Sequence, residues 1–132
     1  MKQSFKEIEL DQNAIDLYKI VLNIEEYPEY IPWCSNIEIL DKKKNLIKAN
    51  MTVDYKFFPT QEFISCVEFN DKNKIINTTY IKGPLKNLHT KWKFKQLAKK
   101  KSKIIFILEF EFENFLHQKL AELFFPLIEI IN

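Results

Sequence analysis

Between residues 46 and 55 the chain alternates almost without error. Ile47, Ala49, Met51, Val53 and Tyr55 share one parity, while Leu46, Lys48, Asn50, Thr52 and Asp54 share the other. A period of two with one apolar set is the signature of a half-buried strand. The same reading gives a strand over residues 4–10, one from about Asn36 to Leu40, one over 60–69 with Phe63, Ser65, Val67 and Phe69 in phase, and one over Ile75 to Tyr80. Asp41 to Lys44 and Asp71 to Asn73 are the polar turns between them. A last hairpin places Leu88, Thr90, Trp92 and Phe94 on one face and His89, Lys91, Lys93 and Lys95 on the other. After a turn at Ala98–Lys101 come Ile104, Phe106, Leu108, Phe110 and Phe112, with Glu109, Glu111 and Glu113 opposite in phase. If Lys95 faces Ile105, then Lys91 faces Glu109 and His89 faces Glu111, so the basic stripe is answered across the strand.

Two segments have the helical period instead. Ala14, Leu17, Tyr18 and Val21 form an i, i+3, i+4, i+7 stripe behind Asn13, an N-cap with Asp16 three residues on, and this helix runs to about Leu22. Asn114 caps a final helix from Phe115, with Leu116, Leu120, Leu123, Phe124 and Leu127 as its buried stripe and a kink expected at Pro126. The predicted order is strand, helix, connector, about six antiparallel strands, helix. That is an α+β chain in which a curved sheet grips one terminal helix, residues 1–132 forming one domain.

The connector is Tyr27-Pro28-Glu29-Tyr30-Ile31-Pro32-Trp33-Cys34. Its two prolines argue against regular helix and push their predecessors toward extended geometry. Connectors are normally polar and superficial. One this apolar is expected to wall a pocket, with Tyr30, Ile31 and Trp33 as its gate.

Composition narrows the function. All 20 basic residues are lysine and the net charge is only +2. So small a charge does not suggest a nucleic-acid protein, and without arginine the preferred bidentate contact to phosphate and guanine is missing; DNA is not an expected partner. Cys34 and Cys66 are isolated thiols. With no signal-peptide pattern at the start, a reduced, cytoplasmic compartment is the expectation. No apolar run reaches the ~18 residues of a membrane span. A single glycine rules out a glycine-rich phosphate loop, no metal-ligand spacing is present, and His89 and His117 do not converge. Neither an enzyme nor a metal or other cofactor is expected.

Three stretches carry a family resemblance. Tyr27–Cys34 resembles the Y-P-x-[FY]-[LI]-P-W-C element of the ubiquinone-binding, START-like family of coenzyme Q-binding proteins and bacterial ribosome-association toxins. Gly83-Pro84-Leu85-Lys86-Asn87-Leu88 with Trp92-Lys93-Phe94 is similar to its G-P-[FL]-[KR]-x-L…W-x-F element, and Phe110–Leu116 to its F-x-F-x-[SN]-x-L junction. The resemblance covers nearly the whole chain. It implies a helix-grip fold with a hydrophobic tunnel for an isoprenoid quinone such as ubiquinone, in a carrier or chaperone supporting respiration and quinone synthesis, without catalytic machinery. The candidate wall is Ile31, Trp33, Met51, Val53, Tyr55, Phe63, Val67, Trp92, Phe94, Phe106, Leu108 and Phe110, closed by Leu120, Leu123 and Phe124. Tyr55, Ser65, Thr90 and Trp92 supply polar atoms for quinone carbonyls. Phe125 and Ile128, with Lys82 and Lys86, are the candidate docking residues for the surface of a bacterial inner membrane or a partner. The alternative within the same family is association with the large ribosomal subunit, through Lys91, Lys93, Lys95 and Lys99 to Lys101.

Overall fold

The computed structural model describes residues 2–54, 59–84 and 86–111. Strand β1 (Lys2–Leu10) leads into helix α1 (Ala14–Leu22), a 3-10 turn (Ile24–Glu26) and a one-turn helix α2 (Tyr27–Tyr30). Six strands follow: β2 (Cys34–Lys43), β3 (Leu46–Val53), β4 (Gln61–Asn70), β5 (Ile75–Lys82), β6 (Asn87–Ala98) and β7 (Lys101–Glu111). They form one antiparallel sheet in the order β1-β7-β6-β5-β4-β3-β2, so every pairing except β1 with β7 is between sequence neighbours. Register shifts in β2, β5 and β6 break the ladder. Such bulges bend a sheet and increase its twist, giving it a concave inner face.

The expected strands are all present, most of them longer than the alternation alone indicates. In β6 and β7 burial alternates residue by residue, and Leu88, Thr90, Trp92, Phe94, Ile104, Phe106, Leu108 and Phe110 all point inward. Helix α1 lays Ala14, Leu17, Tyr18 and Val21 on that face. The expected final helix, with Leu116, Leu120, Leu123, Phe124, Phe125, Leu127 and Ile128, lies outside the described residues, as does Tyr55.

Three expectations are corrected. The connector is not wholly irregular: Pro28 sits in the first turn of α2, where a missing N–H costs nothing. Asn13 is the N-cap residue of α1 as expected, but its side chain makes no cap hydrogen bond to the first turn. Instead Gln96 Oε1 accepts the Ala14 N–H at 2.7 Å, while Asn13 Oδ1 accepts from Gln96 Nε2 and the Lys100 N–H, both at 3.1 Å. The helix start is thereby stitched to the β6–β7 hairpin. Finally, the β6–β7 register is two residues from that expected. Lys95 faces Lys103, Lys93 faces Ile105, Lys91 faces Ile107 and His89 faces Glu109. The turn is tighter than expected, with Ala98 opposite Lys101, and the bulge at Gln96/Ala98 absorbs one more residue. The β6 lysines therefore lose their expected acidic partner, while His89 still faces an acid.

With one glycine available, the hairpins between β2 and β3, β4 and β5, and β6 and β7 put Asn45, Lys74 and Lys100 in the left-handed region, at φ of 65°, 54° and 56°. Gly83 (φ 155°) is placed where nothing else fits. A Cβ there would lie 2.7 Å from the Glu62 carbonyl oxygen and 2.9 Å from the Tyr80 ring.

Candidate functional site

The inner face is not filled uniformly. Under α1, Tyr18 meets Phe94 edge-on at 5.7 Å, Phe94 stacks on Trp92 at 6.1 Å, and Trp92 contacts Phe106 at 4.4 Å. Beyond Trp92, toward β3 and the connector, lies a cavity of about 90 Å³. Its wall is built by Val21 from α1, Ile24 and Tyr27 from the two short helical turns, Trp33, Ile37 from β2, Ala49 and Met51 from β3, Phe63, Ser65 and Val67 from β4, Ile76 and Thr78 from β5, Leu88, Thr90 and Trp92 from β6, and Phe106 from β7. That volume is smaller than the roughly 150 Å³ cavity that takes up one benzene ring. It is below the several hundred Å³ of a pocket enclosing a drug-sized ligand.

The structure brings Trp33, Met51, Phe63, Val67, Trp92 and Phe106 of the sequence-derived wall together around this cavity. It places others elsewhere. Ile31, within the connector, is fully buried; Val53, Phe94, Leu108 and Phe110 belong to the packed core. Tyr55, Leu120, Leu123 and Phe124 lie outside the described residues. Sequence reasoning missed Val21, Ile24, Tyr27, Ile37, Ala49, Ile76, Thr78 and Leu88. Periodicity marked several of these as buried, but burial does not say which buried residues face a hollow.

The wall is apolar except for three hydroxyl residues on neighbouring strands, besides Tyr27 and the Trp33 indole. Thr78 and Thr90 are directly opposed across β5 and β6, and Ser65 lies on the adjoining β4, opposite Tyr80. They form a short polar strip on the cavity floor, suited to a ligand's carbonyl or hydroxyl oxygen. Ser65 and Thr90 were expected in this role; Thr78 completes the strip.

The connector is held from several sides. The Tyr27 hydroxyl donates to the Val21 carbonyl, Tyr30 donates to the Ile20 carbonyl at 3.4 Å, and the two rings meet at 5.9 Å. The Trp33 carbonyl accepts the Asp54 N–H at 2.8 Å, pinning the connector to the end of β3. Asp54 itself is held below the usual carboxylate range by bonds from the Thr60 and Ser35 hydroxyls. Burial raises the Tyr27 and Tyr30 phenols and pushes the Cys34 thiol up to about 11. Among the described lining residues, Tyr27 is the only titratable one, and it is protonated across the physiological range.

The two lysines expected to dock a membrane, Lys82 and Lys86, flank the Gly83 bend. Lys82 is exposed at the end of β5, while Lys86 is drawn to Glu111 at 3.5 Å and its N–H donates to the Glu111 carbonyl. No group of His, Cys, Asp or Glu among the described residues is arranged to hold a metal ion. Among them there is also no helix long and apolar enough to cross a membrane.

A curved antiparallel sheet with a cavity on its concave face defines a START-like, helix-grip domain, and the comparisons agree. The chain belongs to the family described as polyketide cyclase / dehydrase and lipid transport, whose model matches residues 11–129. It is 31% identical over 103 residues to the ribosome association toxin RatA of Pseudomonas aeruginosa, a match covering 73% of this chain and 65% of that protein. It is 32% identical over 98 residues to a mitochondrial coenzyme Q-binding protein of Dictyostelium discoideum, covering 72% and 46%. The chain thus spans just under two thirds of the first relative and about half of the second. Among solved structures, a START superfamily protein from Mycobacterium smegmatis superposes with a TM-score of 0.80 at 17% identity, covering 98% of this chain and 92% of that one. A Streptomyces aromatase/cyclase gives 0.78 at 11% identity, covering 98% and 86%. At such identities the likeness establishes the fold.

Proposed function

We propose that the domain is a non-enzymatic binding protein for a hydrophobic, carbonyl-bearing lipid, an isoprenoid quinone of the ubiquinone type. It would carry or present the quinone for respiration and quinone synthesis. The observation that carries this reading is the cavity itself: two tryptophans, Phe63, Phe106 and aliphatic side chains around a strip of Ser65, Thr78 and Thr90. The coenzyme Q-binding relative supports the ligand class.

Magnitudes explain why the head must do the selecting. Each buried CH₂ is worth about 0.8 kcal/mol against water. A quinone tail already dissolved in a bilayer gains almost nothing by moving into an apolar tunnel, so discrimination falls to the polar strip and the aromatic rings. A space of about 90 Å³ takes only part of a substituted head and none of a polyisoprenoid tail, so seating the head would require the wall to widen. The tail would run on along the inner face past Leu88. Peripheral docking at an inner membrane through Lys82, Lys86, Phe125 and Ile128 belongs to the same proposal. A binding role, not a catalytic one, fits a lining in which Tyr27, the one titratable group among the described residues, stays protonated.

Protein purified from a quinone-producing host, extracted and examined by mass spectrometry, tests this. Stoichiometric quinone is the expected result. A clean extract from protein that co-sediments with large ribosomal subunits would overturn it in favour of a second reading, ribosome association. That reading has its own support in the RatA relative and in the β6 lysines, which face no acid across either neighbouring strand.

A further inference from the structure

We infer that the end of the sheet bearing its three hairpin turns is a docking surface for the phosphate backbone of a folded RNA. Strand order brings the β2–β3, β4–β5 and β6–β7 turns to the same end. They carry Lys42, Lys43 and Lys44, then Lys72 and Lys74, then Lys99, Lys100 and Lys101. All but the half-buried Lys74 are exposed. Against these eight lysines stand five acids: Asp41, 3.9 Å from Lys43; Asp71, which accepts the Tyr18 hydroxyl at 2.7 Å; Glu9, 3.9 Å from Lys101; Asp11, just past β1; and Glu68, opposite Leu46. The chain's net charge is only +2, so the rest of the molecule is net acidic. At the opposite end Glu25, Glu26 and Glu29 beside the connector, with Asp54, Glu62 and Glu111 at the far strand ends, outnumber Lys82 and Lys86.

The tips are presented by fixed backbone. Asn45 accepts the Phe69 N–H, and Lys74 accepts the Phe94 N–H, each at 3.1 Å; the Lys100 N–H is held by Asn13 at 3.1 Å. Strands lie ~4.8 Å apart, so successive tips are spaced by about 10 Å and the lysine row spans about 20 Å, the width of a nucleic-acid duplex face. Lysine is a point charge without arginine's planar fork, which suits phosphates read by position and not bases read by sequence.

A bilayer fits this end less well. The inner face here is filled by α1, Phe94 and Ile104, whereas the cavity lies toward the other end. A lipid carrier seated on its hairpins would therefore turn its cavity away from the membrane. Leu40 and Leu97, left out of the ladders by the bulges, are 43% and 42% exposed but stand singly on separate hairpins.

The inference is independent of quinone binding and takes its partner class from the ribosome-directed reading. The full chain is titrated against a fluorescent RNA hairpin duplex between 50 and 200 mM salt, alongside anionic phosphatidylglycerol vesicles. Lys42, Lys43 and Lys44→Gln together, and Lys99, Lys100 and Lys101→Gln together, should each weaken duplex binding at least tenfold. Each should also flatten the slope of log K against log salt by about 2 to 3. Lys82→Gln with Lys86→Gln should change neither, and thermal melts confirm that all variants are folded. Wild-type affinity in both triple variants, or wild-type protein that binds the vesicles and ignores the duplex, overturns the assignment. If the tips bind duplex RNA while purified large ribosomal subunits are not bound, the surface stands and the ribosome-directed reading falls.

Discussion

The two halves of the inner face are made from the same kinds of residue and end differently. On the α1 side, Leu17 and Tyr18 descend onto Phe94 and Ile104, and the space closes. On the β3 side, Trp33, Met51 and Phe63 stand around a hollow. Trp92 is the boundary, stacked on Phe94 toward the filled half and lining the cavity toward the other. Helix α1, nine residues long, ends at Leu22, and the chain then turns through Ile24–Tyr30 along the rim, roofing only part of the sheet. Among the described residues, α1 covers the filled half and the hydroxyl strip lies beyond its end.

The largest expected difference between the halves is in stability against ligand retention. Phe94→Ala removes a ring from the filled half and should cost about 3–5 kcal/mol in denaturant unfolding, transfer and cavity costs together. Trp33→Ala enlarges a space that already exists. It should cost nearer the transfer term alone, about 2 kcal/mol, while losing most of the bound ligand. Equal stability losses with unchanged ligand content would show that both halves are ordinary core.

A smaller effect is alkaline. The Cys34 thiol, beside the hollow half, is pushed up to about 11 from 9.0 by burial, and the Tyr27 phenol is raised further by the same cause. The folded state therefore holds these protons more tightly than the unfolded chain does. Their contribution is complete below about pH 9 and is lost as pH rises toward 11. Urea midpoints should fall over that range, and Cys34→Ala should flatten the fall. A flat profile in the parent chain would contradict the assigned burial. The smallest effect belongs to the filled half. Ser102 is fully buried and its Oγ has no hydrogen-bond partner among the described residues. Ser102→Ala should leave stability unchanged or raise it by up to about 1 kcal/mol in a thermal melt; a loss above that would reveal a hidden partner.

Much of this architecture was legible in the chain. The period-two runs located every strand, and the Ala14–Val21 stripe located α1, because one-sided burial imposes those periods directly. The β6–β7 register was not legible, since a tight turn at Lys99–Lys100 and a bulge at Gln96 leave no mark on alternation. Nor was α2, where Pro28 reads as a breaker although the first helical turn tolerates it. The cavity was half legible. Trp33, Met51, Phe63 and Trp92 were expected in its wall, yet Ile31 and Phe94, just as apolar, went to the core. Hydrophobic pattern encodes which side chains leave water; whether something fills the space before them depends on the path of α1 and the connector.

The chain's two tryptophans, Trp33 and Trp92, both line the cavity, so their fluorescence reports on it directly. Titration with a short-chain ubiquinone should quench that emission saturably at one equivalent, and Thr90→Val should weaken the binding severalfold while leaving the spectrum of the free protein unchanged. Quenching that rises linearly with quinone, without saturation and indifferent to Thr90→Val, would mean collisions at the surface and would contradict a ligand seated in the hollow half.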